Sequence, residues 1–131
     1  MIEVVPTVVP GSLADVAAIV ERYKSFAHTI HVDVTDGVFA PNTTWMPAEG
    51  DILPPGMRYE IHLMTANPQD IGIAFIHAGA ERIIGHVEAM SEKTPENFAA
   101  WRKEGARECG LGTLFDTPVE PLAPYVPLAD F

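Results

Sequence analysis

His31 and Asp33 stand two residues apart in T-I-H-V-D-V-T-D-G-V-F-A-P-N, Thr29 to Asn42, a stretch that reads as a strand ending in a glycine turn. Side chains at i and i+2 of a strand point the same way, so this pair can converge on one metal ion or one substrate atom. Ile30, Val32 and Val34 then take the opposite, apolar face. The same period-two reading of the next strands places Glu60, His62 and Met64, then Ile84, His86 and Glu88, on the matching face, with Glu3, Val5 and Thr7 on the first strand. Three of the five histidines are therefore expected at equivalent heights on consecutive strands.

Two imidazoles and a carboxylate, His31, His62 and Asp33, suit zinc, iron(II), manganese or cobalt, and the donor set alone does not choose among them. Such an ion would act as a Lewis acid on a substrate carbonyl and stabilise the enediolate left by removal of the neighbouring proton. Asp33 can then be both ligand and proton acceptor. Plainer roles compete with these. A single inward histidine is more often a hydrogen-bonded core residue than a ligand. Glu60 fits a hydrogen-bond partner of a histidine or a polar residue at the barrel floor better than a catalyst. Thr7 fits a strand former with a satisfied hydroxyl, Met64 and Phe39 fit core or pocket wall, and Glu88 fits a solvated loop carboxylate. Cys109 reads as a buried inert thiol, and His28 and His77, near helix ends, carry no assigned role.

The elements that must position these groups alternate between β-rich runs and amphipathic segments, the pattern of βαβ units. Strands are expected over 2–9, 29–34, 57–64, 82–87 and 107–114. Helices are expected over 12–26 with Ser12 as N-cap, from Asn67 and Pro68 to Gly79, and from Thr94 and Pro95 to Gly105, with a short helix before Pro54 and a weak one over 119–125. The last residues, P-L-A-D-F, read as the start of a sixth strand. The whole is one incomplete α/β domain of five to six βα units, with sheet edges left to be covered or paired with another chain.

Composition narrows the partners. A net charge of −10 disfavours a nucleic-acid backbone or an anionic membrane surface. The single cysteine, Cys109, rules out an intramolecular disulfide framework and makes a reducing cytoplasm the simplest home. The amino terminus does not read as a signal peptide, and no run approaches the roughly 18 apolar residues of a membrane span.

Taken together, these segments resemble the ribulose-phosphate 3-epimerase family, (β/α)8 TIM-barrel enzymes of pentose phosphate metabolism. V-P-T-V-V is similar to the family's P-S-I-L segment, and H-V-D-V-T-D-G-V-F-A-P-N to its H-x-D-x-M-D-G-x-F-V-P-N. I-H-L-M-T-A-N-P resembles V-H-L-M-x-x-N-P, and H-A-G-A-E-R-I-I-G-H-V-E-A resembles A-G-A-D-x-I-x-x-H-x-E-A, in the same order along nearly the whole chain. The resemblance implies a divalent metal held by His31, Asp33 and His62, with Asp33 as proton acceptor at C3 of a sugar phosphate. It further implies substrate contacts from Thr7, His62 and Met64, and places His86 near the pocket.

Departures accompany the likeness. Thr35 replaces the family's Met in the M-D-G turn, which is expected to loosen or rewet the site, and Leu114 and Phe115 replace an Asn-Pro. The family's second catalytic Asp, its Gly-rich loop after strand six and its phosphate-binding amides belong to strands beyond residue 131. The 131-residue chain is accordingly expected to bind metal weakly and to turn over ribulose 5-phosphate little or not at all. Two alternatives are a non-catalytic half-barrel binding or assembly module that works by associating with itself or a second chain, and an epimerase of a six-carbon ketose phosphate such as allulose 6-phosphate.

Overall fold

The computed structural model describes residues 2–131 as a five-stranded parallel sheet in the order β1 to β5, with helices packed on one face. The strands are β1 (Thr7–Val8), β2 (Thr29–Thr35), β3 (Arg58–Met64), β4 (Arg82–His86) and β5 (Glu108–Gly112). Between them run α1 (Leu13–Tyr23), α2 (Pro68–His77), the single turn α3 (Val87–Met90) and α4 (Thr94–Glu104). Parallel strands in sequential order, joined by helices except between β2 and β3, follow the βα repeat of a TIM-barrel α/β fold. Among the described residues no helix is long and apolar enough to cross a membrane.

The alternation that points His31 and Asp33 one way buries Ile30, Val32 and Val34 on the other, where Ile61, Leu63 and Ile83 join them beneath Val16, Val20, Phe75, Phe98 and Trp101. Each such side chain contributes about 1.5–3 kcal/mol on leaving water. Trp101 of α4 is the largest of them, and two glycines make room for it. A Cβ on Gly72 would stand 2.4 Å from its Nε1, and one on Gly85 would stand 2.8 Å from its Cη2. The indole in turn donates to the Gln69 carbonyl at 3.0 Å, tying α4 to the first turn of α2.

Local signals place most boundaries. Ser12 caps α1 by accepting from the Asp15 amide at 3.1 Å. Asn67 occupies the cap position of α2 with Pro68 first, although its side chain makes no capping bond.

Several expectations are corrected. β1 is two residues rather than eight: Pro6 and Pro10 flank it and have no amide to donate, leaving Ile2 and Val4 largely exposed. The short helix expected just before Pro54 is absent among the described residues; the Pro54 carbonyl instead accepts from the Tyr59 hydroxyl at 2.5 Å. β4 ends at His86, because Val87 starts α3, a turn that apolar periodicity over four residues cannot show. Thr94 is the first residue of α4 rather than its cap, its hydroxyl donating to the Ser91 carbonyl at 2.7 Å. The expected helix over 119–125 is replaced by two 3-10 turns, Glu120–Leu122 and Val126–Leu128, where Pro121, Pro124 and Pro127 remove the amides a continuous helix needs.

β5 ends at Gly112, and the expected sixth strand begins only as a backbone pairing. The Asp130 amide donates to the Cys109 carbonyl at 2.9 Å, and the Leu111 amide donates to Phe131 at 3.2 Å.

Candidate active site and metal centre

The inward face of the sheet carries two polar layers. In the lower one His31, Glu60, Arg82 and Glu108 stand in register on β2 to β5, with Thr7 of β1 opposite His31. His31 Nδ1 lies 2.6 Å from Glu60 Oε1, and Glu60 Oε2 lies 3.0 Å from an Arg82 Nη1. Glu108 Oε2 is 2.6 Å from Arg82 Nε, and the Phe131 ring lies over the same guanidinium at 4.1 Å. Glu60 is therefore the partner of a histidine and a link in an ionic floor. Arg82 and Glu108 were not anticipated in this role, although extending the period-two reading back from His86 puts Arg82 on this face.

The three histidines do not share one height. Asp33 pairs with His62, and His62 pairs with Ile84, so His86 stands two residues further along its strand. This diagonal is what the tilt of strands in a barrel produces. Imidazole length closes the remaining gap: His62 Nε2 and His86 Nε2 are 2.7 Å apart. Met64 and Thr35 form the next pair above Asp33 and His62. Thr35 is buried, with its hydroxyl oxygen unpartnered among the described residues. Thr7 is exposed and Met64 half-buried.

Asp33 is the junction of the cluster. Its Oδ1 lies 3.1 Å from His31 Nε2 and 2.9 Å from His62 Nδ1. His31, Asp33 and His62 each offer one ligand atom, all within 4.8 Å of one another, a group able to hold a metal ion. Their side chains are 18%, 23% and 22% exposed, so a small molecule can reach them.

Proton counting tests whether a cation fits. Five short contacts join Asp33 to His31, His31 to Glu60, Asp33 to His62, His62 to His86, and His86 to Glu88. Each needs a proton or a cation between its two acceptor atoms, because facing lone pairs repel. Three neutral imidazoles bring one N–H each, leaving two contacts short. Both shortfalls can fall at Asp33 Oδ1, where a divalent ion held by His31, Asp33 and His62 would meet them together. The donor set fits a metal.

The surrounding carboxylates favour positive charge at this junction, whether a proton or a metal ion. The hydrogen bond to Glu60 raises the His31 pKa above its ordinary value against the opposing effect of burial, and the Asp33 charge adds to the rise. The same bond to His31 holds the Glu60 carboxyl below its usual range. Burial pushes the His86 imidazole down. Glu88, expected to be a solvated loop carboxylate, is instead a hub. It accepts from His86 at 3.2 Å, the Leu114 amide at 2.7 Å, Thr113 at 3.0 Å and the Thr117 hydroxyl. Burial works to raise its pKa, but the bonds from Thr117, Leu114 and Thr113 outweigh it and hold it at about 2. No periodicity reveals this role, because it is made by a turn closing on a loop 25 residues or more away.

Two further features frame the site. Asp36 accepts from the amides of Val38, Phe39 and Ala66, fixing the loop after β2 against the one after β3. Phe39 packs against His86 with ring centroids 5.0 Å apart and covers that imidazole.

A parallel βα sheet with an imidazole and carboxylate cluster at the carboxyl ends of its strands defines a barrel-type α/β protein with its polar site where such folds build active centres. Comparison with known proteins makes this specific. The model of the ribulose-phosphate 3 epimerase family matches residues 3–131, and the chain belongs to that family. It is 34% identical over 132 residues to the ribulose-phosphate 3-epimerase of Chlamydia muridarum (strain MoPn / Nigg), covering 97% of this chain and 56% of that protein. The Chlamydia trachomatis serovar D protein of the same name is 32% identical over 97% of this chain and 55% of its own length. A rice (Oryza sativa subsp. japonica) relative, named as the cytoplasmic isoform, is 29% identical over 95% of this chain and 55% of its own length. The chain thus spans about half the length of the curated relatives it matches.

Proposed function

We propose that these residues form the first half of a ribulose-phosphate 3-epimerase site, in which a divalent ion is held by His31 Nε2, Asp33 and His62 Nδ1. The observation that carries the reading is the convergence of both imidazoles on one Asp33 oxygen, at 3.1 and 2.9 Å. Zinc, iron(II), manganese and cobalt all accept this donor set. The bound ion would supply Lewis-acid stabilisation of the enediolate that forms when D-ribulose 5-phosphate loses its C3 proton.

The rest of the chemistry belongs to the chain. Asp33 takes the C3 proton from one face of the sugar phosphate, its second oxygen being free for that transfer. Glu60 holds the His31 ring through Nδ1, and the ionic floor of Arg82 and Glu108 holds Glu60. Thr7 offers a hydroxyl to the substrate, Met64 walls the pocket, and His62 lies beside the reacting atoms. Interconversion with D-xylulose 5-phosphate needs a second acid-base group on the opposite face, and the inward cluster described here contributes Asp33 alone.

The single buried Cys109 and the name of the rice relative support a cytoplasmic home. The edges at β1 and β5 support self-association.

Deuterium wash-in separates proton removal from epimerisation. With metal and ribulose 5-phosphate in D2O, the chain is expected to exchange the C3 hydrogen far faster than it forms xylulose 5-phosphate. Exchange no faster than that of Asp33→Asn would refute the assignment of Asp33. Family-like epimerisation would show that the opposite-face group is present after all.

A further inference from the structure

His62 can bind a metal through Nδ1 only if that nitrogen carries a lone pair, and a neutral imidazole chooses which nitrogen is bare by what its other nitrogen touches. Here the other nitrogen, Nε2, faces His86 Nε2 at 2.7 Å. The two rings lie within 17° of coplanar with centroids 4.9 Å apart, the geometry of an in-line N–H···N bond rather than a face-to-face stack. That bond has a direction, and His86 sets it.

His86 is 4% exposed, covered by Phe39, and its Nδ1 lies 3.2 Å from Glu88 Oε2. Glu88 is fixed from its other oxygen by the Leu114 amide at 2.7 Å, the Thr113 hydroxyl at 3.0 Å and the Thr117 hydroxyl. An ionised carboxylate only accepts, so the His86 proton sits on Nδ1. His86 Nε2 is then bare and must accept from His62 Nε2–H. His62 Nδ1 is left bare in turn, 2.9 Å from the Asp33 oxygen where the ion would sit.

We propose that His86 and Glu88 are positioning residues that lock His62 in the tautomer whose Nδ1 binds the metal. They form a carboxylate, imidazole, imidazole line parallel in purpose to the shorter one from Glu60 to His31. The inference rests on the metal reading above and adds two residues to it. It also means that the segment from Thr113 to Thr117 reaches the metal ligand through one carboxylate.

The test reads tautomers directly. In the zinc-loaded full chain with 15N-labelled histidine, long-range proton-nitrogen correlation is expected to place the His62 proton on Nε2 and the His86 proton on Nδ1. A His86 proton on Nε2 overturns the proposal, and this readout needs no variant that folds poorly. Zinc competition with a chromophoric chelator gives a second readout. His86→Leu is expected to weaken binding about 10- to 100-fold, the usual cost of losing an outer partner of a metal ligand. His86→Gln, whose amide can accept from His62 and donate to Glu88, is expected to restore most of it. Equal losses in the two variants, or no loss in His86→Leu while His31→Ala abolishes binding, overturns this proposal and leaves the metal site standing. A folded wild-type chain that takes up no zinc overturns both.

Discussion

At the scale of single residues the site is a problem in hydrogen-bond direction. Three imidazoles lie between three carboxylates, and every ring nitrogen has an assigned partner. Glu88 is the anchor whose contribution depends most visibly on pH. Its folded-state pKa, about 2, is below its ordinary value of 4.5, so its stabilising effect is complete above the unfolded value and disappears as pH falls from there toward 2. Urea midpoints of the wild-type chain should therefore drop more steeply between pH 5 and pH 3 than those of Glu88→Gln. Parallel curves would mean that the four-donor environment of Glu88 does not persist in solution. His31, Asp33 and His62 were legible as a cluster from spacing two and the strand pattern. The role of Glu88 was not, because its donors come from a loop and from a turn that has no periodic signature.

At the scale of elements, side-chain volume decides how the helices meet the sheet. Trp101 fills the space between α2, α4 and β4, and that space exists because positions 72 and 85 have no Cβ. Gly72 sits in a helix, where glycine is intrinsically unfavourable by up to about 1 kcal/mol relative to alanine, so propensity alone predicts that Gly72→Ala would stabilise α2. Packing predicts the reverse, since the new methyl would lie 2.4 Å from the indole nitrogen. Overpacking of this kind costs about 1–3 kcal/mol, and packing should win. A lower urea midpoint with an unchanged slope would bear this out; a rise would show that α2 and α4 are free to separate. Strand and helix order was readable because each apolar face is continuous over 5 to 11 residues in the elements that matter. The turn α3 and the proline-broken 3-10 segments were not, since a single turn is too short for periodicity to register.

At the scale of the whole molecule, the parallel sheet offers hydrogen-bonding edges at both ends. β1 contributes only Thr7–Val8 to the ladder, and β5 is paired at its outer side just where Asp130 and Phe131 reach it. Val9, Leu114 and Phe115 are exposed nearby, the last of them fully. Exposed edges flanked by apolar side chains favour pairing with another copy, and the net charge of −10 opposes it. Sedimentation velocity should accordingly show association that strengthens as salt screens the charge. A monomer at every salt concentration would remove the proposal of edge pairing and leave the site untouched.

The central claim is that Asp33 joins two imidazoles around one divalent ion, and cobalt(II) reports on it most directly through its visible absorption. Titration of the full chain should saturate at one cobalt per chain with bands characteristic of mixed nitrogen and oxygen ligation, and Asp33→Ala should lose both the bands and the binding. A folded chain that binds no cobalt, or one whose spectrum is unchanged in Asp33→Ala, would contradict it.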